Sequence, residues 1–298
     1  MQAAVTETRD ETTALAAGST RERVARQAAS IRRKAVGYSL LGALAFLGVW
    51  MFAHFVIRSE AFEYVPSPWK VGDRMLGFIF GDPDRNVPAG KVFENFWDTL
   101  RKVLLGWGGA VVLGVPIGVL MGRFRYARDF FFDLVYLAAN VPLIVYAVLS
   151  LLLFGVGDTG PAVVVAVLVL PIIAINVAEG VESVDPNLLA MSRAYRLPPR
   201  EALRHIVFPS FYPFLFAGAR VSFADSWKLG ALTETFGGQT GVGVQLRKAF
   251  QIFAVADLLA WMMFFVIFVL FIERVVLMRL ERYAFRYRLK RGEDVLRY

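Results

Sequence analysis

The sequence predicts an all-α integral membrane protein with six transmembrane helices. Hydrophobic residues occupy 57% of the 298 positions and the mean hydropathy is +0.52, which is above the usual level of soluble domains. The apolar residues form stretches of about 20, the length that a helix needs to cross a bilayer. Short basic segments separate these stretches. This pattern excludes a soluble enzyme, a disordered chain and a disulfide-stapled secreted domain.

The predicted elements run from a polar N-terminal tail to a basic C-terminal tail. Residues 1–35 are expected to be a cytosolic tail, since both their polar lead and the apolar stretch behind it are too long for a signal peptide. Residues 36–278 are expected to form the membrane domain and 279–298 a cytosolic basic tail. The six predicted spans lie at about 36–57, 102–122, 130–154, 161–183, 210–234 and 253–276.

Lysine and arginine are unevenly divided between the two sides of this domain. With the N-terminus inside, about 22 of them fall in inner segments and about 9 in outer segments, Lys102 among the latter. Cytoplasmic loops carry such an excess, so both termini are expected in the cytoplasm. The net charge of +8 is therefore interpreted as a topology signal, and no nucleic acid is expected as a partner.

The second predicted span carries a stripe of small residues. Ala110, Gly114, Gly118 and Gly122 recur at intervals of four, which places them on one face of a helix. Small residues let helix backbones approach closely in a bilayer, so we expect this face to pack against another span.

Three prolines fall inside predicted spans. Each removes a backbone hydrogen bond, so the three helices are expected to kink or widen there. The prolines are Pro116, Pro142 and Pro171, in spans two, three and four.

The polar segment 185–209 predicts a helix–turn–helix on the cytosolic side, between spans four and five. Asp185 followed by Pro186 is typical of a helix start, because aspartate caps and proline presets φ. Pro198 and Pro199 end that helix, and a second short helix is expected to run from there to residue 209. The segment is longer than a connection needs, which indicates a docking surface. An amphipathic helix lying on the lipid is the alternative.

This segment resembles the cytosolic signature of the permease subunits of binding-protein-dependent ABC importers. The signature reads Glu-Ala-Ala, three residues, Gly, nine residues, Ile, one residue, Leu-Pro. Its spacing fits throughout, but Ala190 stands at the acidic position and Arg196 at the glycine. The resemblance assigns ATPase coupling to Ala190, Met191, Ser192, Arg193, Tyr195, Arg196, Leu197, Ile206, Phe208 and Pro209.

Further similarities point to the nitrate, sulfonate and taurine branch of these permeases. They follow the family's order and cover roughly residues 40–290. The similar stretches are Val65-Pro66-Ser67-Pro68, Gly114-Val115-Pro116-Ile117-Gly118, Phe154-Gly155-Val156-Gly157-Asp158, Ala217-Gly218-Ala219-Arg220, Glu234 with Gly237-Gly238 and Gly241-Val242-Gly243, and Arg279-Leu280-Glu281-Arg282.

The resemblance implies the type I ABC importer permease fold, with segment 185–209 as a coupling helix set into an ATPase subunit. The implied partners are two ATP-binding cassette subunits and a solute-binding protein that docks on 58–100 and 235–252. A second copy of the chain is also expected, because six helices leave little room for an aqueous path. Arg196 replaces a glycine that would permit φ > 0. The bend is therefore expected to use an ordinary conformation or to be carried by Pro198.

Four ionisable residues fall in the fifth predicted span: Arg220, Asp225, Lys228 and Glu234. Charged side chains at membrane depth are costly and indicate function, so the four are candidates for a translocation path. Asp225 and Lys228 are three residues apart and can pair directly. A structural ion pair inside the bundle and a misplaced span boundary are the alternatives.

Sequence absences narrow the function further. No Gly-x-x-x-x-Gly-Lys-Ser/Thr occurs, so the chain is not expected to hydrolyse ATP itself. With no cysteine and only His54 and His205 as histidines, we expect no catalytic residue, metal site or cofactor. The preferred function is the permease subunit of an ATP-driven importer for a small anionic or organic solute, in the cytoplasmic membrane of a bacterium. A secondary transporter and an intramembrane enzyme built on Glu179 and Glu182 are the alternatives.

Overall fold

Helices make up nearly all of the regular structure in the computed structural model, which describes residues 37–38, 41–42, 44–56, 65–277 and 279. The predicted all-α class is therefore confirmed, and the one bridge within these residues joins Asp82 and Val87. The chain divides into two compact units, Met1–Lys70 and Val71–Tyr298. Apart from Arg279, the two predicted tails lie outside the described residues.

The first unit contains the apolar helix α1, Leu44–Val56. The chain folds back on this helix: Trp50 Nε1 donates to Pro66 O at 3.0 Å, and His54 Nδ1 lies 2.6 Å from Val65 O. Residues 37–38 and 41–42 are also helical. Helix α1 itself is shorter than the about 20 residues of a full span.

Ten further helices follow from residue 68 onward in the described part of the chain. They are α2 (Pro68–Phe80), α3 (Lys91–Arg123), α4 (Arg125–Asn140), α5 (Leu143–Phe154), α6 (Thr159–Glu182), α7 (Pro186–Ala194), α8 (Pro199–Ala202), α9 (Phe208–Gly237), α10 (Val242–Gln251) and α11 (Val255–Phe271). A 3-10 turn at Pro83–Arg85 and π turns at Leu203–Val207 and Ile272–Leu277 complete the order. The polar region 58–100 thus contains α2 and the first turns of α3.

Four of the described helices are long and apolar enough to cross a membrane. They are Lys91–Arg123, Thr159–Glu182, Pro199–Gly237 and Val255–Val275. Helices α4 and α5 would make a fifth span together, but they are bent by 89° at the break between them. The number of six spans stays a prediction.

The three prolines of the predicted spans behave differently. Pro142 stands immediately before α5, so the predicted span 130–154 is broken where the sequence predicts a kink. Pro116 and Pro171 lie inside α3 and α6, and both helices continue past them.

Helix α6 packs between α3 and α9 and carries the core. The small-residue stripe of α3 faces α6, as predicted: a Cβ added at Gly118 would lie 2.6 Å from Ala174 O. On the side facing α9, a Cβ at Gly180 would lie 2.8 Å from Phe211 Cβ. Glycine at these positions allows the close backbone approach that holds helices together in lipid.

The passage from segment 185–209 into the fifth predicted span differs from the expectation. Helix α8 runs through the π turn Leu203–Val207 into α9, so Pro199–Gly237 is one helix of 39 residues. Pro209 cannot donate a backbone hydrogen bond, and the helix widens just before it, where Phe208 N donates to Leu203 O. Ser210 Oγ also donates to Ile206 O at 2.8 Å. The proline therefore widens the helix instead of ending it.

Candidate functional site

Segment 185–209 connects α6 to α9 through the short helix α7. The side chain of Asp185 accepts a hydrogen bond from Asn187 N at 2.8 Å, and Pro186 opens the helix, as the sequence predicts. At the other end, Leu197 N donates to Ser192 O at 2.9 Å and Arg196 N donates to Arg193 O at 3.0 Å. These two bonds form a Schellman motif, which closes the helix and turns the chain toward α8.

Arg196 takes the left-handed position of this motif, with φ of 50°. The expectation of an ordinary backbone conformation at the bend is therefore wrong. A Schellman motif needs a left-handed residue just past the helix, and Arg196 occupies that position. A side chain there costs about 1–2 kcal/mol, which glycine avoids. The chain thus holds an arginine in the conformation that the signature's glycine would adopt freely.

The middle of the segment is exposed, whereas its ends are anchored. Val184 and Val207 are buried in the core with Phe211. Ser192 is buried, and its Oγ donates to Leu189 O at 2.8 Å. The other residues assigned to coupling are exposed or, for Ile206, half-buried: Ala190, Met191, Arg193, Tyr195, Arg196, Leu197, Phe208 and Pro209.

Four arginines dominate this exposed surface. All are exposed, and none of them forms an ion pair with an acidic residue in the described part of the chain. Glu201, also exposed, is the one acidic residue between positions 186 and 209. We call the four the arginine set: Arg193, Arg196, Arg200 and Arg204.

A second polar site lies at the opposite end of α9, around Glu234. This residue has no exposed surface. Lys102 Nζ donates to its Oε1 at 3.1 Å, and Thr99 Oγ1 donates to its Oε2 at 2.9 Å. The backbone N–H of Gly243 donates to the same Oε2 at 3.0 Å. We call the surrounding group the Glu234 cluster: Asn95, Thr99, Lys102, Glu234, Gly241, Gly243 and Gln245.

Two glycines let the chain after α9 approach this carboxylate. Gly241 has φ of 112°, and a Cβ there would lie 2.5 Å from Glu234 Oε1. A Cβ at Gly243 would lie 2.7 Å from Glu234 Cβ. On the far side, Gln245 Nε2 donates to Asn95 Oδ1 at 2.9 Å. The cluster therefore joins α3, the end of α9 and the start of α10.

The cluster also reaches the loop before α6. Lys102 Nζ lies 3.1 Å from Asp158 Oδ1, and Arg101 Nη2 donates to Asp158 Oδ2 at 2.9 Å. Gly157 N donates to Gly237 O at 2.8 Å. Two stretches that carry the sequence resemblance, 154–158 and 234–243, thus meet at one end of the bundle.

Two of the candidate path residues form a direct pair on α9. Lys228 Nζ donates to Asp225 Oδ1 at 2.9 Å, as their spacing predicts. Their side chains are 67% and 41% exposed, so the pair does not lie inside the bundle of this chain. Arg220 is half-buried on the same helix. Glu234 lies inside its cluster, so it does not face water in this conformation.

Sequence reasoning missed the partners of Glu234. The predicted topology places Lys102 in an outer segment, but the residue lies on α3 and its side chain is buried. Its spacing holds a signal: Asn95, Thr99 and Lys102 extend the face of Gly106 and Ala110 by steps of four, three and four residues. Polar residues in register with a packing stripe indicate a buried network.

The two glutamates of the alternative intramembrane enzyme, Glu179 and Glu182, differ in their contacts. Glu182 forms an ion pair with Arg128, and Glu179 is exposed. Within the described residues, no group of three or more His, Asp or Glu side chains could hold a metal ion.

Comparison with known families and proteins agrees with the sequence resemblance. Residues 114–286 match the family described as binding-protein-dependent transport system inner membrane component. The taurine transport system permease protein TauC of Escherichia coli is 23% identical over 222 residues, covering 74% of this chain and 79% of that protein. The nitrate import permease protein NrtB of Synechocystis is 22% identical over 233 residues, covering 77% and 82%. The bicarbonate transport system permease protein CmpB of Synechococcus elongatus is 25% identical over 232 residues, covering 74% and 79%.

A solved structure has a similar fold. A chain of the MetNI methionine ABC transporter in an inward-facing conformation aligns with a TM-score of 0.56 and 20% identity, covering 63% of this chain and 93% of that one. At this identity the likeness concerns the fold alone. The predicted ABC importer permease fold is confirmed at that level.

Proposed function

Because the chain belongs to the family of inner-membrane components of binding-protein-dependent transport systems, we propose that it forms the solute path of an ATP-driven importer. It acts as the membrane subunit, and partner ATPase subunits hydrolyse ATP. A solute-binding protein delivers the solute on the outer side, and alternating access moves it across.

One observation supports the coupling step: a single helix connects the exposed segment to the proposed path residues Asp225 and Lys228. Pro199–Gly237 has 39 residues, and Lys228 stands 28 residues beyond Arg200. At a rise of 1.5 Å per residue, the two positions are about 42 Å apart along the axis. Displacement of segment 185–209 by an ATPase subunit therefore moves the helix that carries Asp225 and Lys228.

The proposed path lies between two copies of the chain. Asp225 and Lys228 are exposed on the surface of one copy, and an ion pair facing lipid would be costly. A second copy related by a two-fold axis would enclose the pair in an aqueous space, with Arg220 on the same helix. Glu234 we place outside this path, as a buried support for the end of α9.

Membrane orientation follows from charge. We place both termini and segment 185–209 in the cytoplasm, since arginine is concentrated on that side of the predicted topology. The Glu234 cluster and residues 235–252 then face outward, where the solute-binding protein docks.

The proposed solute is a small anion. The curated relatives are named for taurine, nitrate and bicarbonate, all of which carry an anionic group. Lys228 and Arg220 on α9 are cationic groups beside the proposed path.

Reconstitution tests this function. The chain is purified from its native membrane with any ATPase subunit that accompanies it, reconstituted into liposomes, and supplied with its binding protein and labelled solute. We expect uptake that requires ATP inside the vesicles and stops with a non-hydrolysable analogue. ATP-independent uptake by the chain alone would instead indicate a secondary transporter.

A further inference from the structure

The arginine set forms a cluster of positive charge on the described surface. Segment 185–209 contains four arginines and two acidic residues, Glu201 and Asp185, the second of which caps α7. The middle of the segment is exposed, whereas the flanking residues Val184 and Val207 are buried in the core. These four exposed cations form no ion pair with an acidic residue of the described chain.

Arg196 adds a second, independent observation. It occupies the left-handed position of the Schellman motif, where glycine would be easier to accommodate. Backbone strain of this kind persists where the side chain serves a purpose that offsets it. At this position the arginine lies just past the end of α7 and is exposed. Ala190 stands at the position where the resembled signature has glutamate, so this position carries no acid.

We infer that segment 185–209 recognises an acidic groove on its ATPase subunit through the arginine set, with Arg196 at the centre of the contact. This inference rests on the proposed function, and it specifies the charge of the partner surface. A planar guanidinium can bind a carboxylate through two parallel hydrogen bonds, so each arginine suits an aspartate or glutamate side chain. An anionic lipid headgroup offers similar oxygens, and the test below separates the two.

The test measures the affinity of the purified ATPase subunit for the detergent-solubilised chain. In the charge-reversal variant, Arg193→Glu, Arg196→Glu and Arg200→Glu are combined. Arg125→Glu is the matched control, since Arg125 is an exposed arginine at the start of α4, outside the segment. We expect the combined variant to bind at least about tenfold more weakly and the control to bind as wild type does. Raising the salt concentration should weaken wild-type binding more steeply than binding of an Arg→Gln triple variant.

Each remaining outcome is informative. Substitution of acidic groove residues of the ATPase by lysine should restore binding to the combined variant, provided that variant elutes as a single species with wild-type thermal stability. Equal ATPase binding by wild type and a folded combined variant overturns the inference and leaves the proposed function intact. Binding of the combined variant to vesicles of anionic lipid is measured as well. If this variant binds the ATPase as wild type does and loses only its binding to the vesicles, the inference is also overturned. Failure of the wild-type chain to bind any ATPase overturns the proposed function as well.

Discussion

The two ends of α9 differ in how their charged residues are paired. At Gly237, a buried glutamate is bonded by a lysine, a threonine and a backbone amide of the same chain. At Phe208, four arginines project from the preceding segment, and no acidic residue of the described chain pairs with them. A helix end whose charged groups are paired within the chain stabilises the fold. A helix end whose charged groups have no partner in the described chain is suited to an external contact.

Backbone geometry follows the same division. Gly241 adopts its positive φ beside Glu234 without a side chain to strain, whereas Arg196 adopts positive φ despite its side chain. The first arrangement favours stability, and the second gives up some stability to place a charge. Four sets of substitutions test this contrast.

The largest expected effect comes from Lys102→Met. Removing the lysine leaves the Glu234 carboxylate buried with an incomplete set of partners, which costs about 3–5 kcal/mol of stability. We expect a large fall in the unfolding temperature of the detergent-purified protein. Arg101→Met is the neighbouring control, since its pair with Asp158 is about half exposed and worth about 0–1 kcal/mol. Equal unfolding temperatures of the two variants would contradict a stabilising role of the Lys102–Glu234 pair.

Next comes Gly118→Ala, which tests the packing that connects the two ends. The new Cβ would lie 2.6 Å from Ala174 O on α6. Such overpacking lowers the stability of the fold by about 1–3 kcal/mol. Gly108→Ala on the same helix is the control, because nothing lies within 4 Å of a Cβ there. We expect a lower unfolding temperature for the first variant only. If both melted alike, α3 and α6 would not be in close backbone contact.

A smaller effect, on transport only, is expected for Asp225→Asn and Lys228→Met. Each removes one member of an exposed ion pair in the proposed path, and we expect ATP-dependent uptake to fall about tenfold, the equivalent of 1.4 kcal/mol. The folded protein should keep its melting temperature and its ATPase partner. Both variants are assayed for uptake and basal ATPase activity in liposomes. Wild-type values for both activities would remove the pair from the path.

The smallest effect isolates the backbone of Arg196. Arg196→Gly and Arg196→Ala both remove the charge, but only glycine relaxes the left-handed conformation, so we expect it to be more stable than alanine by about 1 kcal/mol. Arg193, inside α7, provides a control of opposite sign, since glycine in a helix is about 1 kcal/mol worse than alanine. Thermal melting of the four variants measures both differences. The same sign at both positions would contradict the Schellman geometry.

Features with a local or periodic signal could be predicted from the sequence. The hydropathy stretches predict the long helices, the four-residue spacing predicts the contact of α3 with α6, and Asp185-Pro186 predicts the start of α7. The direct pairing of Asp225 with Lys228 depends only on helical spacing and is likewise found.

Features that depend on long-range contacts were harder to predict. Lys102 and Glu234 are 132 residues apart in sequence, and local polarity alone assigned the lysine to a loop. Pro209 would commonly end a helix, but a π turn accommodates it within a continuous one. The positive φ of Arg196 follows from the hydrogen bonds that close α7, and residue preference alone argues against it.

The turn at Arg196 also bears on how a cell keeps related transporters apart. A bacterium that makes several importers of one fold must match each membrane subunit with its own ATPase, although the docking elements are alike. Discrimination of this kind requires a feature that wrong partners meet as repulsion or as an unpaired buried charge. The exposed Arg196 would meet a basic or apolar groove as such a penalty. Arg196 would then determine which ATPase subunit the chain binds, in addition to transmitting the movement of that subunit.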